Sequence, residues 1–346
     1  MQRLAAMMGV AVLFVACGGG SASDATPSPP PVETRTPRPE ARATATPQRT
    51  STPQPAPTPA CSDPYPDGAP YEPEAGEPVR LRPLGSPPPM PSYRPIGFAT
   101  DSALELVVKA AIGEEEEEHF AVYVKNIEDG KGLSMDGVRP FYAASLYKVW
   151  ALLEAYHQRN AGLLDFSEEY VGSSYYVSLG LNPGEVGACE QISLDRAIDR
   201  MMAISDNVAA NMVLDRVGAG NINTALSGFG MRSTGFFGNQ MPATASDMAL
   251  LLEAITRGAA LNEATSFEML ARLESEVIDD RIPALLPAGT FVAHKTGSWP
   301  DATHDAGIVI SPEATYVLVI LTDYGYADAG AERIARLSKA VYDYYN

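Results

Sequence analysis

Two side chains that together could form an activated nucleophile lie three residues apart, at Ser145 and Lys148. A serine hydroxyl is a poor nucleophile until a base takes its proton. Residues i and i+3 share one face of a helix, so a helix predicted from Ser145 to Tyr156 would bring the hydroxyl and the amine together. The positive helix N-terminus and a second cation nearby would favour a neutral, basic lysine. Such pairs are also common at helix starts, where Ser145 could simply be an N-cap.

Two further polar triplets lie at the ends of predicted elements. Ser205-Asp206-Asn207 lies between two predicted apolar helices. An ordinary helix-capping turn without a catalytic role would have the same residue types at this place. Lys295-Thr296-Gly297 ends a predicted strand, where a lysine is usually just exposed. Glycine at 297 would permit close approach of another backbone, so that a substrate could pair along the strand edge. Each triplet alone is a weak indicator of function.

The three motifs occur in the order typical of class A β-lactamases and penicillin-binding proteins. They fall on a predicted helix start, a helix–helix junction and a strand end, and residues 119–346 resemble this family over nearly the whole domain. Further matching segments are Ala209-Ala210-Asn211, Leu214-Asp215-Arg216 and Ala306-Gly307-Ile308.

The resemblance implies a serine acyl-hydrolase without cofactor or metal. Ser145 would be the nucleophile and Lys148 its base, with Ser205 and Lys295 passing the proton to the leaving nitrogen. The backbone N–H groups of Ser145 and Ser298 would form the oxyanion hole. By the same resemblance, Asp206 is structural, and the substrate would be held by Asn207, Thr296, Gly297 and Tyr176, the last or its neighbour Tyr175 as an aromatic wall.

One departure from the family pattern concerns deacylation. Class A β-lactamases carry a glutamate, in a loop after the second motif, that activates the deacylating water. This chain has no Asp or Glu between Asp215 and Asp247, and the loop from Met231 to Pro242 is short. Asn239 or Gln240 could hold a water but cannot take its proton at neutral pH.

A second departure concerns the substrate carboxylate, which the family often binds with an arginine on the strand after the third motif. No arginine follows Lys295 before Arg333, so carboxylate binding would rest on Lys295, Thr296 and Ser298. His304 and Asp305 lie nearby and suggest a Ser-His-Asp triad with Ser298. The absence of a Gly-x-Ser-x-Gly elbow and the wrong order of the residues argue against it.

The first quarter of the chain differs in composition from the rest. Twenty-two of the 29 prolines precede residue 98. Residues 1–16 read as a signal peptide, and Cys17 with its small neighbours resembles a bacterial lipidation site, although an ordinary secretory signal is the alternative. Residues 17–97 read as a Pro/Thr-rich linker. We therefore expect an exported, lipid-anchored protein, attached to the membrane by lipid only, with a catalytic domain at 98–346 that folds without the linker.

Charge and the remaining cysteines limit the partners. The formal net charge is −18, and such an acidic chain would repel the phosphates of a nucleic acid. We also expect the protein to be a monomer. Cys61 and Cys189 form a leftover pair that could be a disulfide or two free thiols. The histidines show no metal-ligand spacing.

The element pattern predicts an α+β fold. Among its elements are helices at 99–111, 194–203, 207–217, 245–256 and 331–345, strands at 120–124 and 316–322, and a loop at the acidic run Glu114–Glu118. Strands at 98–157 and 288–346 would form an antiparallel sheet built from both ends of the domain and flanked by helices, with a mostly helical insertion at 158–287. The leading interpretation is a β-lactamase-type hydrolase with slow deacylation, acting on a β-lactam. The alternatives are a D,D-peptidase or esterase acting on cell-wall peptides, and a penicillin-binding sensor that does not turn over.

Overall fold

A six-stranded sheet built from both ends of the domain forms the centre of the fold. The computed structural model describes residues 85–172, 176–177, 186–187, 190–325 and 329–346. In chain order, the strands of the described part are β1 Ala99–Thr100, β2 Phe120–Asn126, β3 Lys131–Met135, β4 Phe141–Tyr142, β5 Glu169–Val171, β6 Gln191–Ser193, β7 Pro242–Ala243, β8 Phe291–Trp299, β9 Ala302–Ile310 and β10 Thr315–Thr322.

The helices of the described part are α1 Ser102–Ile112, α2 Tyr147–Asn160, α3 Leu194–Ala203, α4 Asn207–Val217, α5 Ala219–Phe229, α6 Ala245–Thr256, α7 Glu263–Glu274 and α8 Gly330–Tyr345. The main sheet has the order β1-β3-β2-β10-β9-β8, antiparallel except for the parallel pair of β1 and β3. The short strands form two separate pairs, β4 with β7 and β5 with β6. The predicted α+β class, with a sheet from both ends and a helical insertion, is confirmed.

Two apolar clusters lie on opposite faces of the sheet. One packs α1 and α8 through residues such as Leu104 and Ile334. The other packs the helical part, with α2 at its centre, and Trp150 and Tyr156 are fully buried there. Because α2 is enclosed by this second cluster, its N-terminal turn has a defined position beside the end of β8.

Two local predictions were wrong near the start of the domain. The helix predicted from Ala99 begins at Ser102, because the Asp101 carboxylate caps it by accepting from the N–H groups of Ala103 and Leu104. Ala99–Thr100 pairs with β3 instead. The acidic run predicted as a loop, Glu114–Glu118, lies in a 3₁₀ helix, Glu114–His119.

The last residues of the predicted linker pack on the domain. Met90 is buried, and the Tyr93 ring stacks on Phe229 with centroids 5.7 Å apart. The fully buried Lys125 donates to the Ile96 carbonyl at 2.9 Å and to Glu253 at 2.7 Å. Glu253 also accepts from the Tyr93 hydroxyl at 2.9 Å and the Ile96 N–H at 2.8 Å. Residues before the predicted boundary at residue 98 therefore pack on the domain.

We expect a chain that begins at Gly97 to be less stable than one that begins at Gly85. The shorter chain loses the burial of Met90 and removes two hydrogen bonds from the buried Glu253, which together should cost about 2–5 kcal/mol. Urea unfolding of both chains measures the difference in free energy. Tyr93→Phe in the longer chain isolates the hydroxyl bond, and coincident unfolding curves for the two chains would contradict the prediction.

Candidate active site

The Ser145 hydroxyl lies in a cleft at the N-terminal end of α2. Ser145 is in a single 3₁₀ turn, Ala144–Leu146, that leads into α2, and Ala144 has a left-handed φ of 46°. This conformation is costly for alanine and is typical of functional turns held by their surroundings. The cleft has a volume of about 280 Å³ and is lined by Tyr142, Ala144, Ser145, Tyr147, Asn207, Asn211, Met241, Ser298 and Trp299.

Lys148 joins the first motif to the second. Its fully buried Nζ lies 2.9 Å from Ser205 Oγ, 2.6 Å from the Ser205 carbonyl oxygen and 2.7 Å from Asn207 Oδ1. Burial, followed by the nearby Lys295 ammonium, lowers the pKa of the Lys148 amine well below its usual value. The structure thus brings together Lys148, Ser205 and Asn207 and favours a neutral amine.

Asp206 holds the turn that presents this motif. Its carboxylate caps α4 by accepting from the N–H groups of Val208 and Ala209, at 2.8 and 3.1 Å, and it also accepts from the Val186 N–H at 3.0 Å. Ser205 itself has a left-handed φ of 57°. The contacts of Asp206 agree with the structural role expected for it.

The third motif meets a carboxylate that the sequence did not reveal. Glu276 follows α7 and is paired with the Lys295 ammonium at 2.5 Å, and both side chains are fully buried. The same carboxylate accepts from the Thr296 hydroxyl at 2.7 Å and the Thr296 N–H at 2.8 Å. The Thr296 hydroxyl therefore donates to Glu276, and Thr296 is not among the residues that line the cleft.

Gly297 allows β8 to pass close to the nucleophile turn. A Cβ at this position would lie 3.1 Å from the Ala143 carbonyl oxygen and 3.3 Å from the Leu146 side chain. The neighbouring Ser298 does line the cleft. The structure thus gives Gly297 a packing role, while its contact with substrate stays a prediction.

Arg281 reaches this edge of the cleft from the segment before the third motif, and not from the strand after it. Its guanidinium donates to Ser298 Oγ at 2.5 Å and to the carbonyl oxygens of Gly297 and His304 at 2.9 and 2.6 Å. An arginine therefore does contact Ser298 at this edge of the cleft, and the expectation that the substrate carboxylate binds to Lys295, Thr296 and Ser298 stays a prediction. A single arginine after Asp279-Asp280, shortly before β8, was the available signal.

The contacts of His304 exclude a Ser298-His304-Asp305 triad. His304 Nδ1 accepts from the Thr322 N–H at 3.1 Å, and Nε2 lies 2.7 Å from the Tyr142 carbonyl oxygen. Burial lowers the pKa of His304 to about 4, so the ring is neutral. Asp305 instead pairs with His294 at 2.9 Å. Both ring nitrogens of His304 are thus occupied by backbone groups.

Comparison with known proteins identifies the family. The model of the beta-lactamase enzyme family matches residues 103–345. The chain belongs to this family. A curated relative, the extended-spectrum beta-lactamase PER-1 of Pseudomonas aeruginosa, is 23% identical over 245 residues, which are 63% of this chain and 79% of the relative.

Solved structures agree with this membership. A beta-lactamase from Sphaerobacter thermophilus has a TM-score of 0.63 at 24% identity, covering 70% of this chain and 97% of that one. The structure of PBP-A has a TM-score of 0.64 at 25% identity, covering 74% of this chain and 98% of that one. A PBP-A mutant in an acyl-enzyme complex with penicillin G matches equally well, with coverage of 74% and 99%.

Tyr176, one of the two tyrosines expected to form an aromatic wall in this beta-lactamase family member, does not line the cleft. The Tyr176 hydroxyl donates to Asp215 at 2.6 Å. The cleft is instead bordered by Tyr147 and by Tyr142, whose ring lies 5.1 Å from that of Trp299. Trp299 is 46% exposed, so it can meet a bound molecule.

The loop from Met231 to Pro242 contributes one residue to the cleft, Met241. Asn239 and Gln240, the expected water-holding residues, are exposed and do not line it. Asn223 holds the loop in place by bonding both the N–H and the carbonyl oxygen of Phe236. The Phe236 ring packs edge-on against Tyr147 and Trp150. The asparagines that do line the cleft are Asn207 and Asn211.

Several predicted residues lie outside the described part of the chain. These are Cys17, Cys61, Tyr175 and Cys189, so the lipid anchor and the disulfide stay predictions. Within the described ranges, no cluster of His, Cys, Asp and Glu could hold a metal ion. None of the helices in the described part is both long and apolar enough to span a bilayer.

Proposed function

We propose that this protein opens β-lactams through an acyl-enzyme on Ser145 and releases the product slowly. The observation that carries the proposal is the Lys148 amine, buried at the start of α2, with a lowered pKa and in contact with Ser205 and Asn207. Such an amine can accept the proton of the serine hydroxyl as the hydroxyl attacks. Export and a lipid anchor on Cys17 belong to the same proposal.

The proposed reaction has three steps. Ser145 Oγ bonds to the lactam carbonyl carbon as its proton passes to Lys148, and the N–H groups of Ser145 and Ser298 stabilise the resulting oxyanion. The C–N bond then breaks, and the proton reaches the leaving nitrogen from Lys148 through Ser205 Oγ, 2.9 Å away. Water finally cleaves the ester and restores Ser145.

Two cations can attract the carboxylate of the substrate. Arg281 holds Ser298 Oγ, so its charge lies beside a hydroxyl that faces the cleft. We assign carboxylate recognition to Ser298 and Arg281, with a longer-range contribution from Lys295. In this proposal, Arg281 takes the role of the arginine that the family often carries on the strand after the third motif.

A D,D-peptidase or esterase acting on cell-wall peptides is the second candidate. It is favoured by a cleft that has no carboxylate among its lining residues in the described part of the chain. Such an enzyme is acylated by penicillin but hydrolyses the adduct poorly. A cell-wall peptide ending in D-Ala-D-Ala, cleaved faster than nitrocefin, would select this candidate.

Ser145→Ala should abolish covalent labelling by a fluorescent penicillin. The variant lacks the only group that the proposal allows to form the ester, whereas Ser298→Ala should only weaken labelling. Intact mass over time with benzylpenicillin distinguishes a transient adduct, a lasting adduct and none. Equal labelling of wild type and Ser145→Ala would overturn the proposed function.

Trp299 should favour substrates with an aromatic acyl group. Stacking on an exposed ring is worth about 0.5–1.5 kcal/mol, so Trp299→Ala should weaken acylation by benzylpenicillin roughly 2–10-fold. Acylation by 6-aminopenicillanic acid, which lacks the aromatic group, should change less. Because Trp150 is fully buried, fluorescence quenching in Ser145→Ala reports Trp299 directly, and quenching that persists in Ser145→Ala/Trp299→Phe would contradict the assignment.

A further inference from the structure

Glu276 has a fully buried carboxylate that bonds to Lys295 and Thr296 of the third motif. One oxygen binds the Lys295 ammonium and the Thr296 hydroxyl, and the other accepts the Thr296 N–H. The next residue, Val277, donates its N–H to the Ala203 carbonyl at 2.9 Å, two residues before Ser205. The segment that carries Glu276 therefore connects the end of β8 to the start of the second motif.

The charges in this region explain why a carboxylate belongs there. Lys148 and Lys295 are both fully buried, and the Lys295 charge lowers the pKa of Lys148 while the Glu276 and Asp206 charges raise it. An uncompensated buried charge is strongly destabilising, whereas a hydrogen-bonded pair is tolerated. When Lys295 is paired with Glu276 and Lys148 is neutral, neither lysine is an unpaired buried charge.

We propose that Glu276 is a positioning residue of the acylation reaction, holding Lys295 and Thr296 in place behind the nucleophile. This inference rests on the proposed function, because it assigns Glu276 to the same site. Glu276 does not touch the substrate and acts through Lys295. Because a glutamine at this position keeps a carbonyl oxygen that can accept from Thr296, the loss in Glu276→Gln should depend on the Lys295 charge.

A double-mutant cycle tests this dependence. Glu276→Gln should lower the second-order rate constant for acylation by benzylpenicillin roughly 10–100-fold, as expected for two strongly coupled buried groups. The loss should appear mainly as a higher half-saturating concentration of benzylpenicillin, as is also expected for Lys295→Ala. In the Lys295→Ala background, the same Glu276→Gln change should cost less than about 3-fold.

Two further variants serve as controls. Glu274→Gln removes an exposed charge two residues away and should acylate like wild type. Glu276→Asp keeps the charge at shorter reach and should recover part of the activity that Glu276→Gln loses. Additive losses in the cycle, or a Glu276→Gln variant that behaves like Glu274→Gln, would overturn the inference.

Folding is followed by thermal unfolding of the same variants. If Glu276→Gln fails to fold while Lys295→Ala/Glu276→Gln folds, the Lys295 charge is what Glu276 compensates, which supports the inference. If Lys295→Ala folds and the double variant does not, Glu276 has a role independent of Lys295 and the inference fails. A wild type that benzylpenicillin does not label would instead refute the proposed function.

Discussion

Nitrocefin hydrolysis should begin with a burst of one equivalent and then continue at a much slower steady rate. Hydrolysis of the acyl-enzyme needs a water on the ester carbonyl and a base to deprotonate it. Asn207 and Asn211 can place a water in the cleft, but neither can take its proton. Loss of a general base costs roughly 10²–10⁴-fold in rate, so deacylation should limit turnover by about this factor.

A gain-of-function variant makes this expectation sharper. Met241 is the residue of the short loop that lines the cleft, so Met241→Glu introduces a carboxylate facing the acyl-enzyme. We expect faster deacylation, at least about 10-fold, with little change in the burst. The control is Asn239→Glu, which adds the same charge at an exposed position outside the cleft. Fast wild-type turnover without a burst would show that another base does this work.

Replacing Lys148 should nearly abolish acylation itself. Lys148→Ala removes the proposed base, and a positioned base is typically worth 10²–10⁴-fold. Lys148→Arg is the informative control, because a guanidinium keeps N–H donors at this position but stays protonated near neutral pH and cannot act as a base. Both variants should have a much lower acylation rate constant, measured by stopped-flow. Lys295→Ala should instead chiefly weaken substrate binding.

The pH dependence of acylation follows from the same assignment. The base works in its neutral form, so the wild-type rate should fall as the pH decreases through the pKa of Lys148. Because burial and Lys295 lower that pKa, the fall should occur well below the usual range of a lysine. Pre-steady-state acylation of Lys148→Ala within a few-fold of wild type would contradict the assignment.

The sequence alone determined the elements and most of the motif residues, because these depend on local signals. The predicted bounds of α3, α4 and α6 match the structure, and each helix begins after a capping side chain, Ser193, Asp206 or Thr244. Apolar periodicity located β2, β10 and α8 to within two residues. The family resemblance then indicated Ser145, Lys148 and Ser205.

Tertiary structure decided which groups meet across long separations in the chain. Glu276 and Arg281 precede Lys295 by 19 and 14 residues, and no periodic pattern in that stretch indicates which groups they contact. The hydroxyls of Tyr176 and Thr296 donate to the carboxylates of Asp215 and Glu276. The spacing of residues in the sequence does not indicate the direction in which such a side chain points. Buried polar groups must find partners wherever the fold brings them, and those partners become visible only once the chain is folded.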